Sequence, residues 1–402
     1  MTDAVFQGIR TSANKIYVVE VLDADRVESD DTGGSVIVVP TGSSQEYEIE
    51  TDLLRPFLAG DEIKRWRGDW GGLHVIHPYY AEETEEGELE AGLYSQNYLD
   101  ENLSKTWNFF LAHKEALEAR ESGRKEGEDD WYGYIYPKNL GKFEAPKIIQ
   151  GHITTDATFM VDESGTWYFT TAYGVLLSPD YRDLTEEMAC QLNSKAVDFY
   201  FKHITTVKMG GYYEYRSQYV ERLPCITEDR ADRFAEMREN AETIVDIIDL
   251  DSKTGRFPEA YLGKFDGELE YVDYEWQTRR YPVDATIAEQ ENGEFAVEAG
   301  RSDSITDAAM YADDLGNRKR RAEYVHSAVD GRNVKQGEAT TIPIPRREEG
   351  VEKLLSQLET DEKRAKERDI DALEKEIGSA VYVLFDLTED EQRIVEDYLE
   401  VF

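Results

Sequence analysis

The chain has 402 residues, enough for two or three domains, and its 85 Asp and Glu residues against 45 Lys and Arg residues give a formal net charge of -40. The acids are spread along the whole chain, which indicates a solvated surface in a halophile, because roughly 1 M salt shortens the Debye length to about 3 Å and relieves the self-repulsion. The 40% of hydrophobic residues exclude a disordered chain, the two cysteines exclude a disulfide framework, and no apolar run reaches the roughly 18 residues of a membrane span, so we expect a folded cytoplasmic protein.

A sheet is predicted at the start of the chain. Strand-like runs such as KIYVVEVL (15–22) and SVIVV (35–39) alternate with turn signals up to about residue 108. Between residues 96 and 120, apolar residues recur at three- and four-residue spacing, which predicts a long helix after the sheet. The apolar stripe of this helix consists of Leu99, Leu103, Trp107, Phe110, Leu111 and Leu117.

Sheet structure is predicted to resume in the middle of the chain. Short extended runs, bounded by Gly, Pro or acidic residues, continue to about Ser178, and residues 184–203 are then typical of a helix. The character of the sequence changes after LPCI (223–226), so we place a domain boundary near residue 227. The extended runs are WYGYIYP, PKIIQG, TFMVD, TWYFTT and YGVLLS.

The remainder of the chain is strongly acidic. A helix predicted at 228–248 leads into a turn-rich stretch with weak periodicity at 249–345, and amphipathic helices follow, with Thr388 as the N-cap of the last. The sequence therefore predicts an α+β fold. Its parts are a mixed β-sheet domain with packed helices in residues 1–226, a helix and an acidic irregular region in residues 227–349, and a helical C-terminal tail in residues 350–402.

Familiar catalytic and cofactor motifs are absent from the sequence. The eleven prolines are never adjacent, which excludes the NPPY-type loop that holds a flipped adenine, and no Gly-rich loop has the spacing to cradle a methyl donor or a nucleotide. Asp52 with the E-I-K triplet at 62–64 resembles a nuclease motif, but such triplets are frequent among 32% charged residues. His74 and His77 would point to opposite faces of a strand, so we expect core or edge histidines instead of metal ligands.

Locally basic and aromatic segments interrupt the acidic background at 64–70, 136–152 and 195–222. Cations with interleaved aromatic residues suit contact with phosphates and bases, and Gly210-Gly211 would let a loop approach a nucleic-acid backbone closely. An ordinary solvated face, or ion pairs with the abundant acids, would produce the same pattern. The most basic run, GNRKRRAEY (316–324), is interpreted as a solvated or phosphate-contacting loop.

In chain order, these segments resemble the TaqI-like C-terminal specificity domain, the target-recognition domain of many type II and phage-defence adenine methyltransferases. The resemblance covers about residues 6–226 and returns in the helical end of the chain, whereas residues 250–345 match no part of that family. The segments that carry it are FQGIRTSANKIYVV (6–19), YEIETDLLRPFLAGDEIKRWRGDWGGLHVIHPY (47–79), WYGYIYPKNLGKFEAPKIIQ (131–150), CQLNSKAVDFYFKHI (190–204) and GGYYEYRSQYVERLPCI (210–226).

The resemblance implies recognition of a short double-stranded DNA sequence, so that a methyltransferase can flip an adenine and methylate it in a restriction-modification system. The family's catalytic domain has no counterpart in this sequence. We therefore expect no catalytic, metal or cofactor site in this chain, and S-adenosylmethionine on a partner catalytic subunit. The chain would be a separate specificity subunit, half of a split enzyme or a truncated remnant.

Two other classes of function stay open. One is a protein-interaction module or acidic DNA mimic that docks on a methyltransferase, and the other is a metal-dependent nuclease built on Asp52, Glu62 and Lys64. In the DNA-recognition hypothesis, phosphate contacts position the domain and base contacts specify the sequence. The candidate DNA-contacting residues are Arg10, Lys64, Arg65, Arg67, Lys138, Lys147, Gln150, Lys208, Tyr215, Arg216 and Gln218.

Overall fold

A computed structural model describes residues 2–22, 34–83, 89–227, 231–277, 282–291, 293–300, 302–306 and 315–401. The chain divides into two compact units. Unit 1 comprises Met1–Ala241 and Glu374–Phe402, and unit 2 comprises Glu242–Leu373. Helices and strands are mixed in both units, which confirms the predicted α+β class.

The described strands occur in both units and are short. They are β1 (Thr2–Gln7), β2 (Val18–Val21), β3 (Ser35–Pro40), β4 (Tyr47–Glu50), β5 (Leu54–Leu58), β6 (Leu73–Ile76), β7 (Tyr79–Glu83), β8 (Leu89–Leu93), β9 (Lys147–Gly151), β10 (Ile153–Thr154), β11 (Met160–Asp162), β12 (Tyr168–Phe169), β13 (Ala172–Leu177), β14 (Tyr213–Glu214), β15 (Leu269–Glu275), β16 (Ala285–Glu289), β17 (Phe295–Ala299), β18 (Asp303–Thr306) and β19 (Ala339–Pro345).

The described helices are concentrated in the middle and at the end of the chain. They are α1 (Asn14–Tyr17), α2 (Gln96–Asn102), α3 (Ser104–Ala112), α4 (Lys114–Glu118), α5 (Arg120–Gly123), α6 (Thr185–Leu192), α7 (Lys195–Ile204), α8 (Ser217–Val220), α9 (Ala231–Thr254), α10 (Glu259–Leu262), α11 (Leu315–Val329), α12 (Glu348–Lys366), α13 (Ile370–Leu384) and α14 (Glu389–Leu399).

Two sheets organise unit 1. The larger has the strand order β12-β5-β6-β2-β3-β4, and the smaller has the order β1-β13-β9-β11. The pairs are antiparallel except β12 with β5. Unit 1 also contains two separate two-stranded ladders, β7 with β8 and β10 with β14.

The smaller sheet is covered on both faces because its side chains alternate between two cores. Ile149 and Phe6 join the core that contains the larger sheet. Their neighbours Ile148 and Val175 join a second core with residues of α6 and α7. All residues of β9 and β13 are therefore buried, which explains the apolar run YGVLLS, whereas β9 also contains the buried polar residues Lys147 and Gln150.

The long helix predicted over residues 96–120 is a succession of short helices. Leu103 and His113 leave helical geometry and end α2 and α3, and the chain turns at each. As a result Leu111, which the apolar stripe places inside, is an exposed side chain. The other stripe residues are buried, namely Leu99, Leu103, Trp107, Phe110 and Leu117.

Unit 2 contains more regular structure than the sequence predicts for residues 249–345. Strand β15 pairs with β19, and β16, β17 and β18 form an antiparallel sheet. The basic run at 316–324 lies in α11 and is not a loop. Arg320 in this run forms ion pairs with Glu323, Glu352 and Glu359. Ion pairing within the unit thus explains this cation and gives no reason to assign it to phosphate binding.

The C-terminal helices are as predicted. Thr388 caps α14 with a capping box, in which its side chain accepts a hydrogen bond from the Glu391 backbone and Glu391 reaches back to the Thr388 N–H. Among the residues that the structure describes, no helix combines the length and the apolar character needed to cross a bilayer.

Candidate nucleic-acid interface

An exposed loop projects between α7 and β14. Its base is closed by the pairing of β10 with β14, by a bridge between Val207 and Tyr213, and by a hydrogen bond of 2.7 Å from the Lys208 N–H to the Tyr212 carbonyl. Gly210 and Gly211 adopt φ angles of +86° and +80°, a region that favours glycine. The turn leaves Met209 at its tip with 98% of its surface exposed.

A group of charged side chains surrounds the base of this loop. The buried carboxylate of Glu214 contacts Lys208 Nζ at 3.1 Å, Arg216 at 2.8 Å and His152 Nε2 at 3.4 Å. Burial raises the pKa of Glu214, but hydrogen bonds from Lys208 and Arg216 outweigh it and leave the pKa below its ordinary value. Burial lowers the pKa of His152 despite the nearby carboxylate. Two cations against one carboxylate leave a local positive charge.

A second group of cations is centred on Tyr136. The Arg10 and Arg124 guanidinium groups lie over its ring, 4.8 and 5.1 Å from the centroid, and both side chains are exposed. The Tyr136 hydroxyl donates a hydrogen bond of 2.8 Å to Glu121. Lys138 is exposed two residues further along the chain.

Tyr173 lies near both groups. Its ring lies 5.4 Å from that of His152. Burial raises the pKa of Tyr173, whereas the charges of Arg216 and Arg10 lower it. Tyr173 pairs with Gln7, three residues before Arg10, and its ring lies beside His152, which contacts Glu214, so both groups lie near Tyr173 in unit 1. We call Arg10, Arg124, Lys138, Lys208 and Arg216 the basic surface.

Four of these five residues are predicted from the sequence, and one is not. Lys138, Lys208 and Arg216 are predicted from their basic surroundings, and Arg10 is predicted as a further polar candidate. Arg124 was missed because it follows α5 in an acidic stretch, and only the fold brings it to Tyr136. Gln218 is also exposed, on α8.

The first predicted basic segment is used largely for internal contacts. Residues 64–67 form a tight turn, closed by a hydrogen bond of 3.0 Å from the Lys64 N–H to the Arg67 carbonyl. Arg65 forms an ion pair of 3.3 Å with Glu374 and donates to the Ala157 carbonyl, while Trp66 Nε1 donates to Glu374 at 2.6 Å. Arg65 therefore anchors the start of α13 within unit 1. Lys64 is exposed and Arg67 is half-buried.

Lys147, Gln150 and Tyr215 lie inside the fold, which corrects their assignment as residues at a DNA surface. The fully buried Lys147 ammonium contacts Asp162 and the Phe143 carbonyl, each at 2.5 Å. These contacts join β9 to β11 and fix the ammonium away from solvent. Burial lowers the pKa of Lys147, and Asp162 opposes the shift.

Gln150 and Tyr215 support the exposed loop from beneath. The Gln150 amide donates to the Thr154 and Thr158 hydroxyls at 3.3 and 3.1 Å, and accepts from the Thr158 N–H at 2.9 Å. Tyr215 stacks on Phe201 with the ring centroids 3.8 Å apart. A side chain that satisfies neighbouring backbone and core groups is not available to read a base.

The nuclease hypothesis finds no support in these contacts. Glu62 accepts hydrogen bonds from the Ala59 and Gly71 N–H groups, at 2.6 and 3.0 Å, so its carboxylate organises the loop. Within the described ranges no three His, Cys, Asp or Glu side chains are grouped to hold a metal ion. His74 and His77 are buried, as expected of core histidines.

The match to a known protein family lies in unit 1. Residues 55–225 match the family model of the TaqI-like C-terminal specificity domain, and these residues include the exposed loop and most of the basic surface. Type II methyltransferase M.BstVI of Geobacillus stearothermophilus is 24% identical over 239 residues, which are 58% of this chain and 35% of the relative. The chain thus spans about a third of that relative's length. Residues 55–225 are similar to the TaqI-like C-terminal specificity domain.

Proposed function

We propose that this chain recognises a short double-stranded DNA sequence as the specificity part of an adenine-specific methyltransferase in a restriction-modification and phage-defence system. The observation that carries the proposal is a basic surface, most of which lies inside the region that matches a specificity domain, in a chain of net charge -40. Cations of this surface would position the duplex through its phosphates. Gln218, exposed beside Arg216, could donate to and accept from a base edge.

The proposal includes a methyltransferase catalytic subunit as partner. That subunit would bind S-adenosylmethionine and hold the flipped adenine, since this sequence lacks the motifs for both tasks. The similarity to a type II methyltransferase supports a partner of this class.

We also propose that the protein works in the cytoplasm at high salt. Salt weakens phosphate contacts through counterion release, so the affinity left in molar salt would depend more on base edges and apolar contacts. Binding is therefore best measured at low salt and at about 1 M salt.

The rival function is a protein-interaction module or a DNA mimic. A DNA mimic presents acidic side chains in place of phosphates, and cations beside the exposed loop would not contribute to its binding. The basic surface therefore favours DNA, and its removal separates the two functions.

We expect Lys208→Ala/Arg216→Ala to weaken binding to duplex DNA at low salt. Each lost phosphate contact lowers the steepness of log K against log[salt] by about 0.9, so the double variant should lose about 2. The measurement is fluorescence anisotropy of a labelled duplex over a salt series, with circular dichroism to confirm folding.

Lys105→Ala is the matched control. Lys105 is also a partly exposed lysine of unit 1 in an ion pair, with Glu48 at 2.6 Å, and its side chain is 42% exposed against 38% for Lys208. It should bind DNA as the unchanged protein does. Equal affinity and equal salt dependence of the double variant would contradict the proposed function.

A further inference from the structure

We propose that Met209 enters a groove of the bound duplex and wedges between two stacked base pairs. The inference rests on the proposed function and adds the element that distorts the DNA. Met209 is 98% exposed, and its neighbours Val207 and Tyr212 are 61% and 44% exposed. These side chains form an apolar tip on the exposed loop.

Hydrogen bonds at the foot of the loop hold the tip in place. The Thr205 hydroxyl donates to the Glu214 carbonyl at 2.6 Å, and the Glu214 N–H donates to the Thr206 carbonyl at 3.2 Å. Beneath them Tyr215 stacks on Phe201 in the core. Because the foot of the loop is already ordered, the tip loses little conformational entropy on binding, which favours a specific contact.

Gly210 and Gly211 keep the tip narrow. A Cβ atom on Gly211 would meet nothing within 4 Å, so the space beside the turn is open. The left-handed φ angles of both residues let the chain reverse directly after Met209. A narrow reversal with Met209 as its most exposed side chain fits a nucleic-acid groove.

The charges around the tip favour duplex DNA as the occupant. Lys208 precedes Met209 and Arg216 follows β14, and both contact the buried Glu214. Met209 would thus face the groove while the two cations contact the flanking phosphates. An exposed apolar side chain with cations beside it suits a groove wall and its phosphates.

Methionine suits this task chemically. Its unbranched thioether is flexible and polarisable, so it adapts to the faces of bases. Apolar side chains that enter between base steps unstack them and kink the duplex. The unstacking depends on the base step, so the wedge would contribute to sequence preference without a hydrogen bond to a base.

The test uses the full chain and the duplexes that it retains from a random library, with 2-aminopurine placed in turn at the adenine positions of the retained sequence. We expect the protein to raise the 2-aminopurine fluorescence at one step. Met209→Ala should abolish the rise and weaken binding about tenfold, the loss expected for withdrawing an apolar side chain of this size. Met209→Leu should preserve most of both.

Leu111→Ala is the control, because Leu111 is an exposed apolar side chain of α3, 44% exposed. It should behave as the unchanged protein. If Met209→Ala binds normally and preserves the fluorescence rise, the wedge is refuted while the proposed function stands. A loss of affinity without any rise in the unchanged protein also refutes it. If the unchanged protein retains no duplex, the proposed function fails too.

Discussion

Lys147→Met should lower the free energy of unfolding by about 3–5 kcal/mol, the usual cost of removing one partner of a buried ion pair. The ammonium and the Asp162 carboxylate are 2.5 Å apart and have no exposed side-chain surface. Asp162 also accepts hydrogen bonds from the Thr166 and Trp167 N–H groups, at 3.0 and 2.9 Å. Without Lys147 the carboxylate keeps those donors but loses its counterion in a low-dielectric interior.

The measurement is urea-induced unfolding followed by circular dichroism. Lys138→Met is the matched control, because Lys138 is an exposed lysine of the same basic segment, and its stability should change by less than about 0.5 kcal/mol. The pair of variants also tests the corrected role of Lys147. Wild-type stability together with weakened DNA binding in Lys147→Met would restore it as a DNA contact.

His77→Phe should make the free energy of unfolding fall less steeply as the pH is lowered. Burial, together with the nearby charge of Arg55, lowers the pKa of His77 to about 3. The unfolded chain takes up the proton near pH 6.5, so the folded state loses about 1.4 kcal/mol per pH unit from there down to the folded pKa. Above about pH 6.5 the residue is neutral in both states and contributes nothing to the pH dependence.

The substitution is suitable because His77 lies among aromatic rings. Its ring centroid is 4.8 Å from that of Tyr168 and 5.1 Å from that of Tyr79, and its Nδ1 atom lacks a hydrogen-bond partner among the described residues. Urea unfolding at several pH values between about 7 and about 4 measures the effect. Exposed His203, changed to Phe, is the control. Parallel stability curves for wild type and His77→Phe would contradict the assignment.

Local patterns in the sequence were sufficient for several elements. The extended runs at β9 and β13 predicted strands, and Thr388 predicted the start of α14. These features depend on neighbours within a few residues. The helix breaks at Leu103 and His113 could not be predicted, because apolar residues continue at helical spacing through both.

The candidate interface was predicted less completely, because charge in a sequence does not reveal burial. Lys147 and Lys208 have similar basic surroundings, yet Lys147 is buried against Asp162 and Lys208 is partly exposed at a loop. Met209 carried no signal, since a single methionine in a basic segment is equally consistent with the core. Its exposure follows from the turn at Gly210 and Gly211.

The fold of unit 2 also could not be predicted from local sequence patterns. Its core brings together Trp276, Val297, Tyr324 and Leu354, which belong to separate elements far apart in the chain. Strand β15 buries only Val272 fully and is exposed or half-exposed elsewhere, so its apolar pattern is weak. Acidic residues on the outer faces of such strands conceal the alternation that a sequence reading requires.

Selection from a random duplex DNA library tests the central claim most directly. The purified full chain is incubated with the library at low salt and at about 1 M salt, with and without a methyltransferase catalytic subunit, and the retained duplexes are sequenced. Sequence-specific recognition predicts enrichment of one short motif. Enrichment that occurs only with the catalytic subunit would show that the two chains recognise the DNA together. Absence of an enriched motif under every condition would contradict DNA recognition and leave an interaction module.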